Sequence, residues 1–139
     1  MSTSGSSQRK RILIVDDDPS IRHMLARVLL DEGYEAPAAA SGLEGLKMVA
    51  AQEIDLVLLD LKMPGLNGQE TLKELNALRP GLPVIIMTAY SGRLFDGGLN
   101  GVSALLQKPL DFPILLEAIK KLLAQAEACK NSVTVARKI

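Results

Sequence analysis

The chain has 139 residues, 47% of them apolar, and balances 16 Lys and Arg against 16 Asp and Glu. A net charge of zero without a basic block argues against broad nucleic-acid binding, which rests on clustered cations. No apolar run approaches the ~20 residues of a membrane-spanning helix, and the polar start lacks the apolar stretch of a signal peptide, so one soluble cytoplasmic domain with a real core is expected.

Residues 1–10, rich in Ser and Gly, are expected as a flexible N-terminal tail. Ile12-Leu13-Ile14-Val15 is an apolar run of strand length that ends in Asp16-Asp17-Asp18. Asp18-Pro19 then opens a helix, with Asp as cap and Pro at the first helical position. Its apolar stripe is Ile21, Leu25, Val28 and Leu29, and Gly33 stops it. The stretch Tyr34 to Ala40 reads as a second strand without a reactive group at its end.

Ser41-Gly42-Leu43-Glu44 is a capping box opening the second helix. The run Ile54 to Leu59 is a third strand ending in Asp60. Asn67 is expected to cap the third helix, with Leu72, Leu75 and Leu78 facing inward until Pro80-Gly81 ends it. Val84-Ile85-Ile86-Met87 runs into Thr88-Ala89, and Ala104-Leu105-Leu106-Gln107 into Lys108-Pro109. Between them, the segment Ser91 to Gly101 carries Gly92, Gly97, Gly98 and Gly101. Interior glycines cost a helix about 1 kcal/mol each relative to alanine, so only a short helix is expected there. Asp111 caps the last helix, whose stripe is Phe112, Leu115, Leu116, Ile119, Leu122 and Leu123. That helix is expected to fray after Gln125, with residues 127–139 a C-terminal tail or the start of a linker.

Strands alternating with helices predict a doubly wound α/β fold: a five-stranded parallel sheet with helices on both faces. Ligands of such sheets bind at the carboxyl ends of the strands. Asp16, Asp17, Asp60, Thr88 and Lys108 all follow apolar runs, so the topology gathers them at one edge. A carboxylate cluster without His or Cys suits Mg²⁺, a hard cation that takes oxygen ligands. Asp60 can serve as a nucleophile towards phosphorus. Lys108 can neutralise phosphoryl oxygens as a point charge, and the Thr88 hydroxyl can donate to one of them. Taken singly, each residue also has an ordinary reading: a helix cap, a turn residue, a strand end or a surface lysine. Their order along the chain is the specific signal.

With these residues in view, the stretch 11–126 resembles a receiver domain of the two-component response regulators. The resemblance rests on Asp16-Asp17, on Asp60 followed by Leu61-Lys62-Met63-Pro64-Gly65, on Thr88-Ala89 and on Lys108-Pro109. It implies a flavodoxin-like sheet of strand order 2-1-3-4-5. It also implies that Asp60 is the phosphoacceptor, assisted by Thr88 and Lys108. Mg²⁺ would be held by Asp17, Asp60 and the Lys62 backbone carbonyl, with Asp16 in support. A cis Lys108-Pro109 bond is implied as well. The partners implied are a histidine kinase or phosphotransfer protein and a downstream protein, with no nucleic acid or membrane, and with a weak dimer as one arrangement. Lys62 and Tyr90 would flank the path of the water that hydrolyses the acyl phosphate. Leu105 departs from the family, which usually has an aromatic residue three positions before the lysine.

Three other readings compete. A Mg²⁺-dependent aspartyl phosphatase would usually carry its nucleophile after the first strand, where this chain has the acid pair. A flavodoxin-like cofactor binder would want Ser, Thr and Gly where Asp16-Asp17-Asp18 stands. A binding module with vestigial acids leaves the complete set of acid, Thr and Lys unexplained. His23, on the first helix, is expected as a surface residue, since phosphohistidine donors usually sit on helical bundles. Cys129 stands alone and makes neither a disulfide framework nor a metal motif.

Overall fold

A computed structural model describes residues 9–60, 68–88 and 102–138, with side chains over 9–60, 70–88 and 102–127. In chain order the elements are β1 (Ile12–Val15), α1 (Pro19–Asp31), β2 (Ala38–Ala39), α2 (Gly42–Ala51), β3 (Leu56–Asp60), α3 (Gly68–Leu78), β4 (Val84–Thr88), β5 (Ala104–Gln107) and α4 (Phe112–Lys138). The strands form one five-stranded sheet of order β2-β1-β3-β4-β5, parallel throughout. The doubly wound architecture and its strand order are thus as expected.

Alternation along the strands divides the core between the two faces of the sheet. Leu13, Val15, Val57, Leu59, Val84 and Ile86 point to the face covered by α2 and α3, where Val49, Leu72 and Leu75 meet them. Ile12, Ile14, Leu56, Leu58, Ile85 and Met87 point to the other face, under α1 and α4. Leu25 and Leu29 of α1 and Leu115, Ile119 and Leu123 of α4 complete that second core. Buried on both faces, β1, β3 and β4 are continuous apolar runs.

The helix boundaries follow local chemistry. The Asp18 carboxylate accepts from the Ser20 amide at 2.9 Å, and Pro19 begins α1. Gly33, with φ of 93°, takes the left-handed turn that ends it. Ser41 Oγ accepts from the Glu44 amide, while Glu44 Oε1 reaches back to the Ala40 amide at 2.7 Å. The Asp111 carboxylate accepts from the Ile114 amide at the start of α4.

Three expectations are corrected. The second strand is only Ala38–Ala39, because Pro37 has no N–H to give the ladder and offers only its carbonyl, to the Ile14 amide. Leu78 is 44% exposed, since only Leu72 and Leu75 of its stripe reach the sheet. The last helix does not fray after Gln125 but continues to Lys138. Asn67 and the glycine-rich segment Ser91 to Gly101 lie outside the described residues. Among the described residues no helix is long and apolar enough to cross a membrane.

Candidate functional site

The carboxyl ends of β1, β3, β4 and β5 bring the expected side chains to one edge of the sheet. Val15 pairs with Leu59 across β1 and β3, so the residues that follow them, Asp16 and Asp60, emerge side by side. Asp60 pairs with Met87, and Thr88 with Gln107, which places Thr88 beside Asp60 and Lys108 one residue past the Thr88 level. The Lys108 amide also donates to the Thr88 carbonyl at 2.7 Å, and the Lys108-Pro109 bond is cis.

Oxygens of Asp16, Asp17 and Asp60 all lie within 4.8 Å of one another. Asp16 and Asp60 are buried, at 0% and 4% exposure, whereas Asp17 is exposed. Lys108 Nζ stands 3.2 Å from Asp16 Oδ2 and 3.5 Å from Asp60 Oδ2. Lys108 is thus paired with two of the three carboxylates. Such a cluster repels itself, and a divalent cation with oxygen preference relieves that repulsion. An all-carboxylate donor set therefore fits Mg²⁺ better than a soft metal. The burial of Asp16 and Asp60 leaves Asp17 as the acid most open to solvent.

Asp16 is committed on both oxygens: Oδ1 accepts from the Asp18 amide at 2.9 Å and Oδ2 faces Lys108. Its amide extends the β1–β2 pairing by donating to the Ala39 carbonyl. Thr88 is fully buried as the last residue of β4. Leu105 is 45% exposed on β5. His23 is exposed on α1, as expected of a surface residue. Lys62 and Tyr90 fall outside the described residues.

The sequence reading passed over Arg22. Its Nη1 donates to the Asp16 carbonyl oxygen at 2.8 Å, so the turn bearing the acid pair is tied back to α1. The available signal was positional: a cation in the first turn of a helix opposes the helix dipole and wants a compensating partner.

Comparison with known proteins places this geometry. A family model described as the response regulator receiver domain matches residues 12–120. The chain is 40% identical over 116 residues to sporulation initiation phosphotransferase F of Bacillus subtilis, covering 82% of this chain and 94% of that protein. It is 38% identical over 124 residues to the transcriptional regulatory protein GlrR of Escherichia coli, covering 87% of this chain but 28% of that protein. The chain thus spans under a third of such transcriptional regulators. Among solved structures, a CheY-like response regulator receiver domain protein of Methanospirillum hungatei superposes with a TM-score of 0.82 at 38% identity. That match covers 87% of this chain and 98% of the other. The response regulator protein TrrA of Thermotoga maritima, solved in complex with Mg(2+)-BeF, matches at 39% identity and a TM-score of 0.74, covering 81% of this chain and 98% of that one.

Proposed function

The chain belongs to the receiver domains of two-component response regulators, and on that premise we propose that Asp60 is its phosphoacceptor, with Thr88 and Lys108 assisting. The protein is a phosphorylation-dependent signalling switch. The observation that carries the residue assignment is the placement of Asp60: it shares a 4.8 Å cluster with Asp16 and Asp17 and lies 3.5 Å from Lys108 Nζ. Asp17, Asp60 and the Lys62 carbonyl would hold Mg²⁺, with Asp16 in support. Bound there, Mg²⁺ would offset the clustered carboxylates and the charge of the incoming phosphoryl oxygens.

In the transfer, an Asp60 carboxylate oxygen forms a new P–O bond while the P–N bond of a phosphohistidine donor breaks. The imidazole nitrogen leaves with the electron pair. Lys108 Nζ holds charge against a phosphoryl oxygen, and the Thr88 hydroxyl donates to another. Water then attacks the phosphorus, the bond to the Asp60 oxygen breaks, and inorganic phosphate leaves, returning Asp60 to its carboxylate; Lys62 and Tyr90 would flank the path of that water. The donor is a histidine kinase or a phosphotransfer protein, and the setting is cytoplasmic.

Two contexts fit. Near-complete coverage of sporulation initiation phosphotransferase F supports a stand-alone receiver. The match to under a third of GlrR supports a receiver within a multidomain regulator or hybrid kinase.

Acetyl phosphate with Mg²⁺ tests the assignment, read by intact mass. Wild type is expected to gain one phosphoryl group, about 80 Da, as the acyl-phosphate chemistry requires. Asp60→Asn is expected to gain none. Equal labelling of Asp60→Asn would remove Asp60 from this role.

A further inference from the structure

We propose that Arg22 is a positioning residue for Mg²⁺ binding, acting through the backbone of the acid pair; this rests on the metal site proposed above. Arg22 Nη1 donates to the Asp16 carbonyl oxygen at 2.8 Å. That carbonyl belongs to the peptide joining Asp16 to Asp17, so its direction fixes the plane from which the Asp17 side chain leaves. Asp16 is independently fixed by the Asp18 amide on Oδ1 and by Lys108 on Oδ2. Asp17 is different. It is exposed, and no described residue supplies its carboxylate with a hydrogen bond or ion pair. Its location, with an oxygen within 4.8 Å of those of Asp16 and Asp60, therefore depends on the backbone that Arg22 holds.

The placement of Arg22 supports the same reading. It sits on the first turn of α1, four residues after the Asp18 cap, and its amide donates to the Asp18 carbonyl at 3.1 Å. A cation there is disfavoured by the helix dipole, and its guanidinium is turned back on the acidic turn. Groups that orient metal ligands from outside the ligand set commonly change metal affinity by about 10–100-fold when removed.

Charge and positioning predict opposite signs. Were Arg22 only a nearby positive charge, removing it would tighten Mg²⁺ binding, because one competing cation is gone. As a positioning residue, its removal loosens binding. The experiment is the Mg²⁺ dependence of labelling by acetyl phosphate, followed by intact mass. The variants are Arg22→Met, which keeps an aliphatic stem without a donor, and Arg22→Lys, which keeps one donor for the carbonyl. Thermal unfolding in chelator identifies any variant that does not fold, and Arg22→Gln then replaces it.

The half-saturating Mg²⁺ concentration is expected to rise about 10-fold in Arg22→Met, with a plateau rate close to wild type. Arg22→Lys is expected to recover most of the shift. A merely structural role would lower the unfolding temperature and leave half-saturation unmoved. Unchanged or tighter half-saturation in Arg22→Met overturns the proposal. So does an Arg22→Lys curve that coincides with Arg22→Met, since the donor is then not the agent. Wild-type labelling that ignores Mg²⁺ overturns the metal site itself, an outcome read before any variant is compared.

Discussion

The Lys108 amide donates to the Thr88 carbonyl at 2.7 Å, so the residue bearing the ammonium and the residue bearing the buried hydroxyl are joined through their main chains. This bond extends the β4–β5 ladder one step beyond the Thr88–Gln107 pair. It fixes where Lys108 starts, and the side chain then crosses β4 to reach Asp16 and Asp60. Strand geometry thus holds the cation against the two buried carboxylates.

Lys108→Met should destabilise the metal-free protein. Asp16 is fully buried, and Lys108 is its ion-pair partner. Removing one member of a buried pair costs ~3–5 kcal/mol, but Asp16 keeps the Asp18 amide and Lys108 is partly exposed, so about 2 kcal/mol is expected. Excess Mg²⁺ should restore most of the loss. Urea melts with chelator and with Mg²⁺ measure both, and equal losses in the two conditions would contradict the electrostatic account.

Asp17→Ala should separate function from stability. The exposed carboxylate sits among two others. Its removal is expected to abolish Mg²⁺-dependent labelling while leaving metal-free stability unchanged or raised by up to ~0.5 kcal/mol, the scale of exposed charge interactions. Labelling by intact mass and a urea melt on the same sample check the two halves.

Gly42→Ala tests how closely α2 approaches α3. A methyl group there would overlap Thr71 Oγ1 and come within 3.2 Å of Thr71 Cβ, and Thr71 is fully buried. Overpacking of this kind costs about 1–3 kcal/mol. Thr71→Ala removes the atom in the way, so the double variant should be more stable than additivity allows, by ~1 kcal/mol. Additive losses from chemical denaturation would show that the backbones part instead.

Alkaline stability should carry a contribution from Tyr34. Burial raises its hydroxyl pKa, and the nearby Glu32 charge adds to the effect. The folded protein therefore holds this proton more tightly than the unfolded chain. The associated stability is fully present below the ordinary tyrosine value near 10 and is lost as pH rises through the raised folded value. Tyr34→Phe should flatten the fall in stability above that pH. Denaturation midpoints of the two proteins across the alkaline range measure the difference.

Much of this was legible in the residues because burial on both faces makes a strand an unbroken apolar run. Ile12 to Val15 and Val84 to Met87 announce themselves in that way, and each hands the chain to a reactive group. β2 did not, since Pro37 and four alanines between Ala36 and Ala40 carry little strand pattern, and only Ala38–Ala39 form a strand, with Glu35 bridged separately to Arg11. The extent of α4 was hidden because its apolar stripe of leucines and isoleucine stops at Leu123, while the backbone hydrogen bonds of a helix need no such stripe to continue. Arg22 was missed for another reason. A side chain that donates to a carbonyl leaves no mark in hydropathy or in acid–base pairing along the sequence.

The alternation that sends Leu13 and Ile14 to opposite cores also makes each central strand a ruler. Deleting one residue from β3 would retract Asp60 by ~3.3 Å and exchange the sides on which its leucines lie. The reach of Lys108 spans little such error, because 3.2 Å and 3.5 Å to its two carboxylates leave no room for a missing step. A change in length should therefore cost least in the connections on the far edge of the sheet, such as the Gly33 and Gly81 turns, where the count of residues sets no chemistry.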